Sequence, residues 1–250
     1  MESLILVAMA ATMEFIDSFL GMMYGTILAP LLIIMGHDTK TVIASILISQ
    51  AIGGFMASWR HHFHGNADFS KGTLDRKVAL IVIGAGIIAS VMGVSVSLNI
   101  SPKVLNTYIA LLLITIGLMI FWGKTFNLTT TKIYILGFIS AFNKSLSGGG
   151  YGPLVAGGQL VLDGRKEKNA IGSTDFAEAP ICLFSYILWV MFNGFPDWKL
   201  SIPLCLGAAF GGFFGPKILS KIVSPKKLKL AMAILVLVEG AIMIWKVWLK

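Results

Sequence analysis

Phe138-Ile139-Ser140-Ala141-Phe142-Asn143-Lys144-Ser145-Leu146-Ser147-Gly148-Gly149-Gly150-Tyr151-Gly152-Pro153-Leu154 is an apolar stretch that interrupts itself. Three glycines followed by Gly-Pro end a helix, because glycine gives up backbone entropy and proline lacks the amide donor and clashes with the preceding turn. The same frame stands 123 positions earlier, where Phe15-Ile16-x-x-Phe19 leads to Pro30-Leu31. That offset also pairs Gly84 with Gly207, Ser101-Pro102-Lys103 with Ser224-Pro225-Lys226, Leu105 with Leu228, Gly117 with Gly240 and Trp122 with Trp245. In the middle it slips to 128, pairing Ile43 and Ser45 with Ile171 and Ser173, and then recovers. The chain therefore reads as two copies of one unit, residues 1–122 and 132–250, joined by a linker at 123–131.

Composition places both copies in a bilayer. Of the 250 residues 56% are hydrophobic and 13% charged, too few charges to cover a water-soluble domain. Apolar runs long enough to cross about 30 Å of hydrocarbon lie near 40–59, 78–98, 104–122, 170–192, 199–219 and 228–249. Two longer runs, 4–35 and 132–162, are broken by glycine, proline and polar residues. The N-terminal run lacks a basic leader and contains Glu14 and Asp17, so it reads as part of the mature protein. Cys182 and Cys205 fall inside predicted spans, where a small apolar filler is the ordinary reading.

The position of the cations selects a topology. If each broken run crossed once, Lys and Arg would divide almost evenly between the two faces. If each enters and returns on one side, every copy crosses three times, the second copy is inverted, and 14 of the 20 cations gather on one face. Five stay on the other (Lys40, Lys103, Lys199, Lys246, Lys250), with Lys144 inside a broken run. That asymmetry predicts a cytoplasmic basic face and both termini outside a cell membrane crossed many times. The fold class is thus an all-α integral membrane protein of two inverted-topology repeats, each a broken segment, re-entrant or half-helix, followed by three transmembrane helices. In such architectures the substrate lies near the midplane, at the breaks, where non-helical backbone is tolerated.

At the second break, a half-helix opening near Pro153 directs unpaired amides at Ser147, Gly148, Gly149, Gly150 and Tyr151, and Lys144 beside Asn143 adds a full positive charge. Intramembrane cations of this kind point to function more often than to packing. The first break, Gly21-Met22-Met23-Tyr24-Gly25, has no lysine of its own, so a single anion site should lean on the second copy. Tyr24 and Tyr151 are candidate hydroxyl donors, with core packing as the alternative. Four acidic residues occupy membrane segments as two i, i+3 pairs, Glu14 with Asp17 and Asp175 with Glu178; each pair faces one side of its helix and suits a coupling proton or ion. Ser45, Ser49 and Gln50, at positions matching Ser173, Asp175 and Glu178, suggest a shared polar pocket. His61, His62 and His64 follow Arg60 in what reads as a basic loop, and the run Lys217–Lys229 reads as a topology signal with a contact to anionic lipid.

The duplicated Phe-Ile-x-x-Phe openings, the Gly-Gly-Gly-Tyr-Gly-Pro-Leu break and Ile171-Gly172-Ser173-Thr174-Asp175-Phe176-Ala177-Glu178 resemble the TauE/SafE family of sulfite and organosulfonate exporters, over essentially all 250 residues. The first break departs from the family pattern. The resemblance implies export of sulfite or small sulfonates by alternating access, coupled to protons or sodium. The residues show no nucleophile–base set or metal motif, so no enzyme activity, cofactor or metal is expected, nor a nucleic acid; the expected partners are the small anion, the lipid bilayer and a second copy in a homodimer. A cation or metal permease using the four acidic residues, and a membrane scaffold or sensor, are the competing readings. Soluble domains or long tails would mark the last.

Overall fold

The structure is a computed structural model that describes residues 2–97, 101–122, 127–221 and 225–248. These residues form ten α-helices: α1 Glu2–Leu20, α2 Tyr24–Ile34, α3 Thr39–Phe63, α4 Leu74–Ser97, α5 Pro102–Phe121, α6 Thr130–Ser147, α7 Tyr151–Leu160, α8 Glu167–Asn193, α9 Trp198–Lys221 and α10 Pro225–Trp248. The second five repeat the order of the first five. Among the described residues α1, α3, α4, α8 and α9 are long and apolar enough to cross a membrane. Each broken run resolves into a long helix and a short one. At about 1.5 Å per residue, α2 and α7 reach only about half the hydrocarbon thickness. Lys124, Ser224, Lys250 and residues 123–126 of the expected linker lie outside the described residues.

Packing gives the path of each broken run. Helix α1 runs parallel to α9, since Gly207 packs on Ala10, Gly211 on Phe15 and Gly215 on Ser18. Helix α2 then turns back. Its first residue, Tyr24, bonds Ser49 halfway along α3, and its last residue leads to the start of α3, where Val42 clusters with Leu6 and Leu200. In the second half α6 runs along α4, with Gly137 on Val82 and Gly93 on Ser145, and α7 returns so that Gly158 packs on Leu136.

Equivalent helices of the two halves pack antiparallel. Along α3 and α8, Leu47 shares a cluster with Tyr186 and Trp189, Gly54 meets Ala179, and His61 meets Asp175 and Gly172. Along α5 and α10, Thr107 bonds Trp248, Ile114 lies on Gly240, and Gly117 on Leu237. One end of the bundle gathers the 64–73 loop, the start of α8 and the end of α9. Here Arg165, buried, bonds Asp75 Oδ1 at 2.6 Å, Gln159 Oε1 at 2.8 Å and Ser173 Oγ at 2.8 Å, tying α4, α7 and α8 together.

The α1–α9 seam rests on glycine because lipid supplies no hydrophobic drive between helices, so backbones associate by close approach. Gly207, Gly211 and Gly215 recur every fourth residue on the face toward α1. A Cβ at Gly211 would stand 2.6 Å from Phe15 N and 2.8 Å from Glu14 Cβ. Gly211→Val is therefore expected to lower stability by about 1–3 kcal/mol through overpacking. Thermal unfolding in detergent checks this, with Gly84→Val, at a glycine whose Cβ meets nothing within 4 Å, as the control.

Candidate functional site where the two breaks cross

The breaks are Gly21-Met22-Met23 and Gly148-Gly149-Gly150. Gly148 and Gly150 take left-handed φ of 75° and 76°, which glycine adopts without strain. Met23 holds φ 121°, a strained value for a side-chain-bearing residue at the entrance to α2. The two breaks pack directly on each other. Gly25 lies against the Gly148 carbonyl, a Cβ on Gly149 would stand 3.1 Å from Thr26 Cα, and the Gly150 amide donates to Thr26 Oγ1 at 3.2 Å. Side chains at Gly25 or Gly149 would force the halves apart at their centre.

Lys144 fills this crossing. It belongs to α6, yet a Cβ on Gly25 would come 3.0 Å from its Nζ, so the lysine of the second copy serves the break of the first. It is 1% exposed, donates to Gln50 Oε1 on α3, and stands 2.9 Å from Glu178 Oε1 on α8 as an ion pair. Around it Asp17, Asp175 and Glu178 each present a carboxylate oxygen, all within 4.8 Å of one another. Glu14, also buried, leaves Oε2 without a partner among the described residues. One lysine cannot neutralise this many carboxylates, and an unpaired charge is costly away from water. The site therefore demands protons or a bound cation, and these three carboxylates could hold one. Asp17 also caps α2, accepting from the Tyr24 amide at 3.0 Å, and it lies 3.5 Å from Gln50 Nε2.

The predicted site residues divide into four groups. Lys144, Gln50, Gly25, Gly148, Asp17, Asp175, Glu178 and Glu14 come together at the crossing, and Tyr24 joins through a 2.8 Å hydroxyl bond to Ser49. Asn143 and Tyr151 are buried close by; both atoms of the Asn143 amide and the Tyr151 hydroxyl lack partners among the described residues and are free to bond a polar ligand. Ser147 Oγ stays local, bonding the Asn143 carbonyl at 2.9 Å. Ser45 and Ser173 lie apart from the crossing: Ser45 pairs with Ser201 on α9 at 2.8 Å, and Ser173 belongs to the Arg165 clamp. Their matched positions do not bring them into one network.

Two features escape the sequence reading. His61 is not in a loop. Helix α3 continues to Phe63 and buries His61 completely, with Nε2 2.9 Å from Asp175 Oδ2. Asn66 Nδ2 lies 2.8 Å from the Pro216 carbonyl and 3.1 Å from His61 Nδ1. Donating to both, it makes Nδ1 an acceptor and leaves the Nε2 proton facing Asp175. The intramembrane carboxylates also number at least five, since Glu239 on α10 is 2% exposed with both oxygens unpartnered among the described residues. A lone glutamate within the apolar run 228–249 was its only signal.

The chain matches the family model described as "Sulfite exporter TauE/SafE" over residues 4–243. It is 23% identical over 195 residues to "Probable membrane transporter protein YtnM" of Bacillus subtilis (strain 168), across 74% of this chain and 63% of YtnM, so it spans less than two thirds of that relative. It is 22% identical over 204 residues to "Probable membrane transporter protein YdhB" of the same organism, across 77% of this chain and 80% of YdhB. A bundle of apolar helices with a buried charged centre, matched over nearly its whole length, makes this chain a multi-pass membrane protein that belongs to the TauE/SafE family of membrane transporters.

Proposed function

We propose that the protein exports sulfite or a small organosulfonate across the cytoplasmic membrane, by alternating access coupled to protons. The observation that carries the reading is Lys144. It is a buried cation at the crossing of two helix breaks, where its ion pair with Glu178 can be exchanged for one with an anionic substrate. An arriving oxyanion replaces Glu178 at Nζ, and a coupling proton is carried by Asp175 or Glu178 in the neighbouring carboxylate cluster. A singly charged anion and its proton then move as a neutral pair. The Asn143 amide and the Tyr151 hydroxyl supply the remaining donors.

The two halves, 1–122 and 132–250, are inverted copies on this reading, and rocking of one against the other exposes the crossing alternately to each side. The antiparallel packing of α3 on α8 and of α5 on α10, together with the return of each short helix toward its starting side, supports it. The basic end is cytoplasmic and both termini are outside. A second reading, cation transport, is favoured by the Asp17, Asp175 and Glu178 cluster.

Proteoliposomes separate the two. Labelled sulfite, taurine, sulfoacetate and sodium are offered in turn under an imposed pH gradient. Accumulation of a sulfur oxyanion accompanied by proton movement is expected, and sodium uptake indifferent to every anion would overturn the anion reading.

A further inference from the structure

A cleft of about 590 Å³ opens at the basic end of the bundle, away from the crossing, between the start of α4 and the start of α6. Lys71, Thr73, Arg76 and Lys77 line it from the 64–73 loop and α4, and Thr130 from α6. The side chains of Lys71, Arg76 and Lys77 have no hydrogen-bond or ion-pair partner among the described residues. The nearby acids are committed elsewhere. Asp75 is buried, and its two oxygens accept from Arg165 Nη1, Asn169 Nδ2 and the Asp68 amide; Asp68 in turn accepts from the Ser70 amide at 2.9 Å. Three cations therefore share one cleft in which, among the described residues, no carboxylate pairs with them.

The wall of the cleft changes character along α4. Leu80 lines it and is 51% exposed. One turn on, Gly84 has open space where a Cβ would stand, and a further turn on Ile88 is exposed with Ile87 and Val91. Leu80, Gly84 and Ile88 lie at i, i+4 and i+8, on one face of the helix. The missing side chain at Gly84 leaves a shallow slot between two apolar residues, running from the cations toward the middle of the bundle. Charge at one end and an apolar track below it match the two parts of a phospholipid, and basic pockets between transmembrane helices on the cytoplasmic side recognise anionic headgroups.

We propose that this cleft is a binding site for an anionic glycerophospholipid, its phosphodiester held by Lys71, Arg76 and Lys77 and one acyl chain lying in the Leu80–Gly84–Ile88 slot. The site is separate from the crossing and does not depend on which substrate is transported.

The test uses the full chain in nanodiscs and in detergent, with phosphatidylglycerol, phosphatidylcholine and inorganic phosphate as probes, read by native mass spectrometry and thermal midpoint. Phosphatidylglycerol is expected to remain bound through delipidation and to raise the midpoint, while phosphatidylcholine does neither. Replacing Lys71, Arg76 and Lys77 by glutamine should weaken phosphatidylglycerol binding by at least about tenfold. Replacing Lys40, Lys103 and Lys199, which removes the same charge from the opposite end of the molecule, should leave it unchanged. Gly84→Leu fills the slot and should weaken lipid binding in a variant that keeps all three cations. Equal losses in both triple variants, or retention in the cleft variant, overturns the site. Protection by inorganic phosphate equal to that by the lipid, unaffected by Gly84→Leu, overturns the lipid assignment in favour of a free-phosphate site.

Discussion

Lys144→Met removes the charge at the crossing and is expected to abolish substrate-dependent transport while also weakening the fold. Methionine retains the length of the stem but strands Glu178 beside Asp17 and Asp175, without the lysine that pairs with it. Breaking a buried ion pair by removing one partner costs about 3–5 kcal/mol, most of it the penalty of the charge left behind. Glu178→Gln should cost less, because Gln50 still accepts from the lysine. The informative variant is the pair Lys144→Met with Glu178→Gln. With both charges gone the fold should recover to within about 1 kcal/mol of the parent, since neutral replacement of a buried pair is close to neutral in stability. Transport should remain lost, because a buried charge contact to the substrate is worth about 2–5 kcal/mol. Thermal unfolding and proteoliposome flux of the three variants separate the outcomes. A double variant that folds and still carries sulfite at the parental rate removes Lys144 from the mechanism.

The architecture is legible in the sequence because its determinants are local. Hydropathy marks the spans, and the glycines and prolines mark the breaks; the apolar runs fall on α3, α4, α8 and α9, long and apolar enough to span, and on the helices α5 and α10, and the broken runs fall on α1–α2 and α6–α7. What a side chain meets across the interface is not local. Lys144 reaches Gly25, Gln50 and Glu178, three elements separated from it in sequence, and no spacing announces that the second copy's lysine serves the first copy's break. The same limit explains Ser45 and Ser173. Their correspondence is one of position along the sequence, while each bonds whatever the packing brings near, Ser201 of the other half in one case and Arg165 of the same half in the other.

His61 misleads for a different reason. Arg-His-His looks like the start of an aqueous loop, and at 25 residues α3 is longer than a bilayer requires. Its last turn is nevertheless enclosed, because Gly172 of α8 lets that helix come close enough for a Cβ there to lie 3.2 Å from His61 Cβ. A polar residue at the end of a span is buried when a small residue opposite admits it. Sequence position alone does not reveal the partner.

That histidine gives Asp175 two opposite signatures, depending on which partner is changed. Asp175→Asn keeps the shape, can still accept from His61 Nε2, and takes one of three mutually close carboxylates out of the cluster. It is expected to raise stability by about 1 kcal/mol, the scale on which relieving a strained functional site stabilises a fold, and the midpoint by about 2–4 °C for a chain of this size. If Asp175 carries the coupling proton, the same substitution should separate sulfite movement from proton movement, so that an imposed pH gradient no longer drives accumulation. His61→Leu acts the other way. It leaves the carboxylate without its donor and half of the Asn66 amide unpaired in a buried site, at a cost of about 1–3 kcal/mol. His61→Gln, which restores a donor at similar reach, should recover part of that loss. An asparagine variant that is less stable than the parent, or that accumulates sulfite under a pH gradient as the parent does, shows Asp175 to be a structural partner of His61 and moves proton coupling to Glu178.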